Sequence, residues 1–409
     1  MGIIQDSINF TKKDDAKMNI KKQIRTLYIY EMISGLQIVD LVWVLFLIQR
    51  GFSLAEAGIA EGVFHLVSMC CEIPSGMLSD LIGRKKTLAA AGIVSALSAF
   101  CMIVTDFFPM ILLAMGLNAL SYNLVSGTRE ALTYDSLLEA GAEDQYLKVS
   151  SRQESIYQGL YAVTGLISVI TVSLGYRLAY LLAVGQGLLC TVVALQLKEA
   201  GIRSREKRSQ VTFRTMGGEL LRHFQRSVRF LMEHPKIRER MVVSGGISAG
   251  CYLVSMILQE HLAAIGLDER LIGIPLFFIS LFSVAGAVLG ERTRNMSTRT
   301  VVMTGGCLAG IAVIFSGGNH LLPVIVAAGA ANCMNEMTAL RLENENQKEA
   351  ASEIRATIIS VGSMMYSVWM AVLSPVCGAA ANAFSVPAAF FGLGILMIVL
   401  ACIYTVREK

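Results

Sequence analysis

Charge is what this 409-residue chain has least of: Asp, Glu, Lys and Arg make up 16% of it, against 54% apolar residues. So little charge cannot cover a water-soluble surface of this size, which excludes the two or three soluble domains that length alone would allow. The mean hydropathy of +0.57 points instead to one integral membrane unit. Prolines number only seven, and with 36 glycines this suits transmembrane helices, where glycine lets neighbours approach closely. The nine cysteines, from Cys70 and Cys71 to Cys402, all fall in or against apolar segments. That placement excludes a disulfide framework, and neither a CxxC pair nor a Cys/His metal spacing occurs. Five scattered histidines predict no metal site. A GxxxxGK[ST] loop is also lacking, so ATP is not the expected energy source and no cofactor is implied. The first 26 residues are polar and basic without a short apolar core, unlike a cleaved signal peptide.

What is present is a series of apolar runs. A membrane-spanning helix needs about 20 predominantly apolar residues. On that rule the expected spans are 27–48, 57–77, 88–104, 110–127, 156–174 and 178–197, then 241–259, 271–289, 301–316, 321–340, 354–377 and 387–406. The predicted organisation is a tail at 1–26, a six-helix bundle at 27–197, a basic linker at 198–240 and a second six-helix bundle at 241–406. With the N-terminus placed in the cytoplasm, only Arg50, Arg177 and Arg270 of the 35 Lys and Arg residues fall in external loops. That asymmetry predicts a multi-pass cell-membrane protein with both termini inside. The basic linker reads as a solvated connection near the lipid surface, not as a nucleic-acid site, because it carries no base-stacking pattern.

The most informative stretch is GMLSDLIGRKKTL, residues 76–88, between the second and third runs. Asp80 lies four residues before Arg84, which opens the cation run Arg84, Lys85 and Lys86, and Gly76 and Gly83 are expected to make a tight turn there. Gly76, Leu78, Asp80, Gly83, Arg84 and Lys85 match, in register, the signature loop Gly-x-Leu-Ala-Asp-basic-x-Gly-Arg-basic. The chain thus resembles the major facilitator superfamily, with Ser79 in place of the usual alanine and Leu81 in place of a cation. A weaker echo, GAVLGERTRNMS with Glu291 and Arg292, ends the second run of the other half. The stretches GFSLAEAG, EIPSG, SGTREALTYDSL and SEIRATIISVGSM are similar to drug-exporter-like bacterial members. The resemblance implies an all-α fold of about twelve spans in two six-helix bundles that alternately expose a central site. It also implies a conformational latch of Gly76, Asp80, Gly83, Arg84 and Lys85. In that latch Asp80 pairs with Arg84 and caps the eleventh span near Ile354, and Arg84 reaches Glu130 or Asp135. The plain alternative is positive-inside anchoring by the same cations.

Ionisable residues at membrane depth are the expected route for a driving ion. Asp40, flanked by Ile38, Val39, Leu41 and Val42, must face a cavity or keep its proton, since an unpaired charge there costs several kcal/mol. Tyr30, Ser34, Gln37 and Asp40 are expected on one helical face, which favours the cavity reading. Glu61 and His65, one turn apart, are the second proton-coupling candidates, with a purely structural pair as the alternative. The cavity is expected to take Tyr30 and Gln37 from the first run, Asn118 and Tyr122 from the fourth, and Tyr157 and Tyr161 from the fifth. Asn332, Asn335 and Glu336 from the tenth and Tyr366 and Trp369 from the eleventh complete it. Each of these side chains has a competing role as a packing hydrogen bond or contact between helices.

The expected activity is therefore proton-coupled efflux of hydrophobic or amphipathic small molecules by a monomer in the lipid bilayer. Proton-coupled import, or carriage of one metabolite by the same fold, is the alternative. The fifth run, GLYAVTGLISVI, lacks the glycine–proline motif that many proton-linked exporters of the superfamily carry, which weighs against export. An enzyme is not expected, because nucleophiles, metal ligands and paired carboxylates do not cluster at one depth.

Overall fold

The computed structural model describes residues 19–199, 213–349 and 355–407, and among them it is built of helices without a strand. In chain order the helices are α1 (Ile20–Ser34), α2 (Trp43–Gln49), α3 (Leu54–Ile82), α4 (Arg84–Val104), α5 (Phe108–Val125), α6 (Thr128–Glu139), α7 (Tyr146–Leu174) and α8 (Tyr176–Ala194). After the linker come α9 (Phe213–Glu233), α10 (Pro235–Ala264), α11 (Gly273–Arg292), α12 (Thr298–Phe315), α13 (Leu321–Glu349), α14 (Arg355–Ala383) and α15 (Val386–Arg407). Taking α1 with α2 and α5 with α6 as single units gives about twelve helical segments, six on each side of α9. Among the described residues nine helices, or up to ten with a bent pair, are long and apolar enough to cross a membrane. Their lipid-facing surface is marked by exposed apolar side chains such as Phe100, Leu113, Ile170, Val284, Phe315 and Val376.

Three local features differ from the sequence expectation. The first span is not one helix: α1 stops at Gly35, residues 36–42 run through turns, and α2 starts afresh at Trp43. Asp40 therefore sits in a break, not on a continuous face with Tyr30 and Ser34. The first helix also begins earlier than Leu27, at Ile20, because the Asn19 side chain accepts from Lys22 N and caps it. The loop between the second and third spans shrinks to Gly83 alone, at φ 99°, so Gly76 and Asp80 lie within α3 and only Gly83 makes the turn. Residues 1–18 of the expected tail and 200–212 of the linker are outside the described residues.

The turns at 50–53, 105–107, 266–272 and 384–385 define one end of the molecule, here called the distal end. Gly83, Ser126 and Gly127, residues 195–199 and α9 define the linker end. At the distal end the two bundles meet along two seams of backbone-close contact. Where α3 crosses α14, a Cβ on Gly58 would fall 2.3 Å from the Ser374 carbonyl oxygen, and one on Gly378 2.3 Å from that of Leu54. Where α7 crosses α11, a Cβ on Gly273 would fall 2.0 Å from the Gly165 carbonyl oxygen and 2.2 Å from Ser168 Oγ. Only glycine fits such crossings, which is how helices pack closely in lipid. Two polar links add to the closure: Leu45 N donates to Gln259 Oε1 at 3.4 Å, and Gln49 Nε2 to Glu269 Oε2 at 2.7 Å.

Candidate functional site: a tyrosine-walled cavity between the bundles

The break in the first span builds one wall of a central cavity. Gln37, in the unwound segment, donates to the Tyr157 hydroxyl at 2.7 Å, fixing the break against α7. Asp40, three residues on, is enclosed by protein yet open to solvent, as a residue on a cavity wall is. Its carboxylate has no hydrogen-bond or ion-pair partner among the described residues, although Glu61, Tyr157 and Tyr161 lie within electrostatic reach. Non-helical backbone at membrane depth is tolerated where it lines such a cavity, because the freed peptide groups can reach water.

Opposite this wall, α3 presents Glu61 and His65, both buried, with His65 Nε2 3.2 Å from Glu61 Oε1. The His65 ring sits edge-on to Tyr366 of α14 at 5.4 Å and to Tyr252 of α10 at 6.4 Å, so this pair reaches across to the second bundle. Tyr252 also lies within electrostatic reach of Glu61. Tyr157 and Tyr161 stack on α7 with centroids 6.4 Å apart, and Tyr122 of α5 lies 6.2 Å from Phe64. Tyr122 and Tyr252 stay 59% and 38% exposed despite their depth, so their faces line open space.

Several expected lining residues are engaged elsewhere. Tyr30, 1% exposed, packs in the core of the first bundle with Ile24, Leu27, Leu88 and Cys190, and does not open to the cavity. Its neighbours decide this: once α1 ends at Gly35, the Tyr30 face turns to α4 and α8. Asn335 accepts from Ser248 Oγ at 2.9 Å, Asn332 Nδ2 donates to Ala328 O at 3.0 Å, and Trp369 Nε1 donates to Val242 O at 2.9 Å. Asn118 is half-buried on α5, and Glu336 is half-buried on α13 without a described partner. Sequence reading passed over Tyr252, whose signal was a lone tyrosine amid the small and apolar residues of α10.

It also passed over Glu31, a carboxylate between Tyr30 and Met32. Glu31 is fully buried, and its Oε1 accepts from Arg129 Nη1 at 2.5 Å, tying α1 to α6. Arg129→Ala leaves that carboxylate buried and unpaired, and is expected to cost about 3 kcal/mol of stability. A Glu31→Met/Arg129→Met double variant is expected to recover most of it. Thermal melting of the purified variants checks this, and an unchanged melting temperature in Arg129→Ala alone would contradict it.

At the linker end Arg84 pairs with Asp135 and also donates to Ala131 O. Glu130, 62% exposed, lies 3.8 Å from Arg129 instead of meeting Arg84. Asp80 has no ion-pair or hydrogen-bond partner among the described residues, so its expected pairing with Arg84 is not formed. The residues near Ile354 that it was expected to cap are outside the described residues. At the same end, the N-terminus of α4 holds the Glu199 carboxylate, with Arg84 N and Lys85 N donating at 2.7 and 3.0 Å. An anion is stabilised there by the free amides and the helix dipole. No group of three or more His, Cys, Asp or Glu side chains placed to hold a metal occurs among the described residues.

Known proteins share this architecture. The structure of the nucleoside transporter NupG superposes with a TM-score of 0.77 at 14% identity, covering 96% of this chain and all of that one. That of the peptide transporter POT in complex with sulfate gives 0.71 at 13% identity, over 95% of this chain and 94% of that one. The human organic anion transporter MFSD10 (TETRAN) gives 0.63 at 13% identity, over 95% and 100%. At such identities the likeness is one of fold. A curated relative, the uncharacterized MFS-type transporter YxaM of Bacillus subtilis (strain 168), is 23% identical over 256 residues. The match spans 60% of this chain and 60% of that relative. A sequence profile of the Major Facilitator Superfamily matches residues 29–349, most of the chain, and the protein is a member of that superfamily of membrane transporters.

Proposed function

We propose that this transporter couples proton entry to the efflux of hydrophobic or amphipathic small molecules by alternating access. The observation that carries the reading is Asp40, an unpartnered carboxylate in the break of the first span, on the wall of an aromatic cavity. A carboxylate so placed can exchange a proton with whichever side the cavity faces, and discontinuous spans are where carriers bind substrate and ion. Glu61 and His65 form a second titratable pair on the opposite wall. The bundles at 27–197 and 241–406 act as the two rocking bodies, the linker end faces the cytoplasm, and the distal seams are shut in this conformer. The Arg84–Asp135 pair and Asp80 act as the latch at the cytoplasmic end. Import by the same cavity is the second reading, supported by the missing proline in GLYAVTGLISVI.

Ethidium accumulation in energised cells tests the proposal. Cells with the protein are expected to hold less dye than cells without it, and a protonophore is expected to abolish the difference. Higher accumulation in the expressing cells would favour import, and a difference insensitive to the protonophore would remove proton coupling.

A further inference from the structure

We infer that the cavity selects its substrate by charge, binding organic cations with flat aromatic groups and rejecting anions of the same shape. This rests on the carrier reading above and names the class of molecule carried.

The first observation is the sign of the cavity's charge. Asp40 stands unpartnered on one wall and Glu61 on the other. His65 is Glu61's neighbour at 3.2 Å, so with both carboxylates ionised the group of three carries net negative charge whether the imidazole is neutral or protonated. Glu336 of α13 is half-buried without a described partner and acts on Cys251, which in turn lies within reach of Tyr366. Three arginines are each committed to a carboxylate, Arg129 to Glu31, Arg84 to Asp135 and Arg50 to Asp106, and of these Arg129 lies within reach of Tyr122. A small anion entering here would find no free guanidinium or ammonium among these groups to replace its hydration.

The second observation is independent of charge. Tyr157 and Tyr161 of the first bundle and Tyr252 and Tyr366 of the second approach the same space, with Tyr122 exposed beside them. Aromatic faces attract a cation through the ring quadrupole and do not attract an anion. They also suit delocalised cations, which lose little hydration on entering an apolar site. Carboxylate and ring faces act on the same ligand charge, and Tyr161 lies within reach of Asp40 as Tyr252 and Tyr366 do of Glu61. The hydrogen bond from Gln37 occupies the Tyr157 hydroxyl, which leaves the ring face of that tyrosine to the ligand.

Tetraphenylphosphonium and tetraphenylborate provide the test, because they share four phenyl groups and nearly one size but carry opposite charge. Each is titrated separately against the purified full-length protein in nanodiscs of zwitterionic lipid, with empty nanodiscs subtracted. The phosphonium is expected to bind saturably and the borate not to saturate. Asp40→Asn and Glu61→Gln are each expected to weaken the phosphonium by about tenfold or more. Thermal melting confirms that the variants are folded, and the wild-type cation-to-anion ratio is readable without them. Equal saturable binding of the two ions would overturn the inference, as would no saturable binding of the phosphonium, or unchanged affinity in both variants. The measurement uses no gradient, so charge-blind binding would leave proton-driven efflux standing. Absent protonophore-sensitive efflux with charge-selective binding intact would do the reverse.

Discussion

Asp40→Asn is expected to reduce transport driven by an imposed pH gradient by about 100-fold in proteoliposomes, while the protein stays folded. Asparagine keeps the size and hydrogen-bonding reach of the side chain and removes only its ability to take up and release a proton. The fold should tolerate this, because among the described residues the Asp40 carboxylate has no hydrogen-bond or ion-pair partner on another helix. The contrast with Glu31 is informative. Both carboxylates belong to the first span, but Glu31 is fully buried against Arg129, so its removal is read in stability, whereas that of Asp40 is read in flux. Gradient-driven flux equal to wild type in Asp40→Asn would take this residue out of the mechanism.

Gly273→Ala is the second change with a large expected effect, and it acts far from any charge. Its new methyl group would lie 2.0 Å from the Gly165 carbonyl oxygen, inside van der Waals contact with backbone that has little room to move. Overpacking of this kind costs about 1–3 kcal/mol. That cost falls on the conformer whose distal seams are shut and is relieved when the bundles part there. A penalty of about 2 kcal/mol shifts a two-state equilibrium roughly 30-fold toward the distal-open form. Spin labels replacing the exposed Phe107 and Phe384, in a background with the nine cysteines replaced, would report this as a longer distance across the distal mouth. An unchanged distance distribution together with an unchanged melting temperature would show that the seam carries no conformational weight.

Different parts of this molecule were legible to different degrees. Spans could be read because hydrocarbon imposes a length and a composition on any segment that crosses it, and each apolar run after the first overlaps a helix. Several helices nonetheless extend well past their runs, as Tyr146–Leu174 does past 156–174. The pairing of Arg84 with Asp135 was foreseeable because its motif places a cation and a carboxylate at the same end of the bundle. The broken first span was not foreseeable. Residues 35–42 are as apolar as their neighbours, carry no proline, and read as the middle of a helix. What ends α1 there is its surroundings: Gln37 bonds Tyr157 on α7, and Leu45 at the start of α2 bonds Gln259 on α10. Tyr30 was misplaced for the same reason, since a face drawn on a continuous helix turns away when the helix stops.

Sequence alone thus determined the membrane character and, through the signature loop, the all-helical fold of about twelve helices in two bundles. These are set by properties that each segment carries with it: transfer of apolar side chains to lipid, the cost of a charge at depth, and the turn at Gly83. Tertiary structure alone decided which polar residues share a cavity and which are spent on packing. Asn332, Asn335, Trp369 and Tyr30 look alike on paper to Tyr157, Tyr252 and Tyr366, and only their partners separate the two groups. A polar side chain in a membrane helix must be satisfied by something, and what satisfies it depends on helices that are distant in sequence.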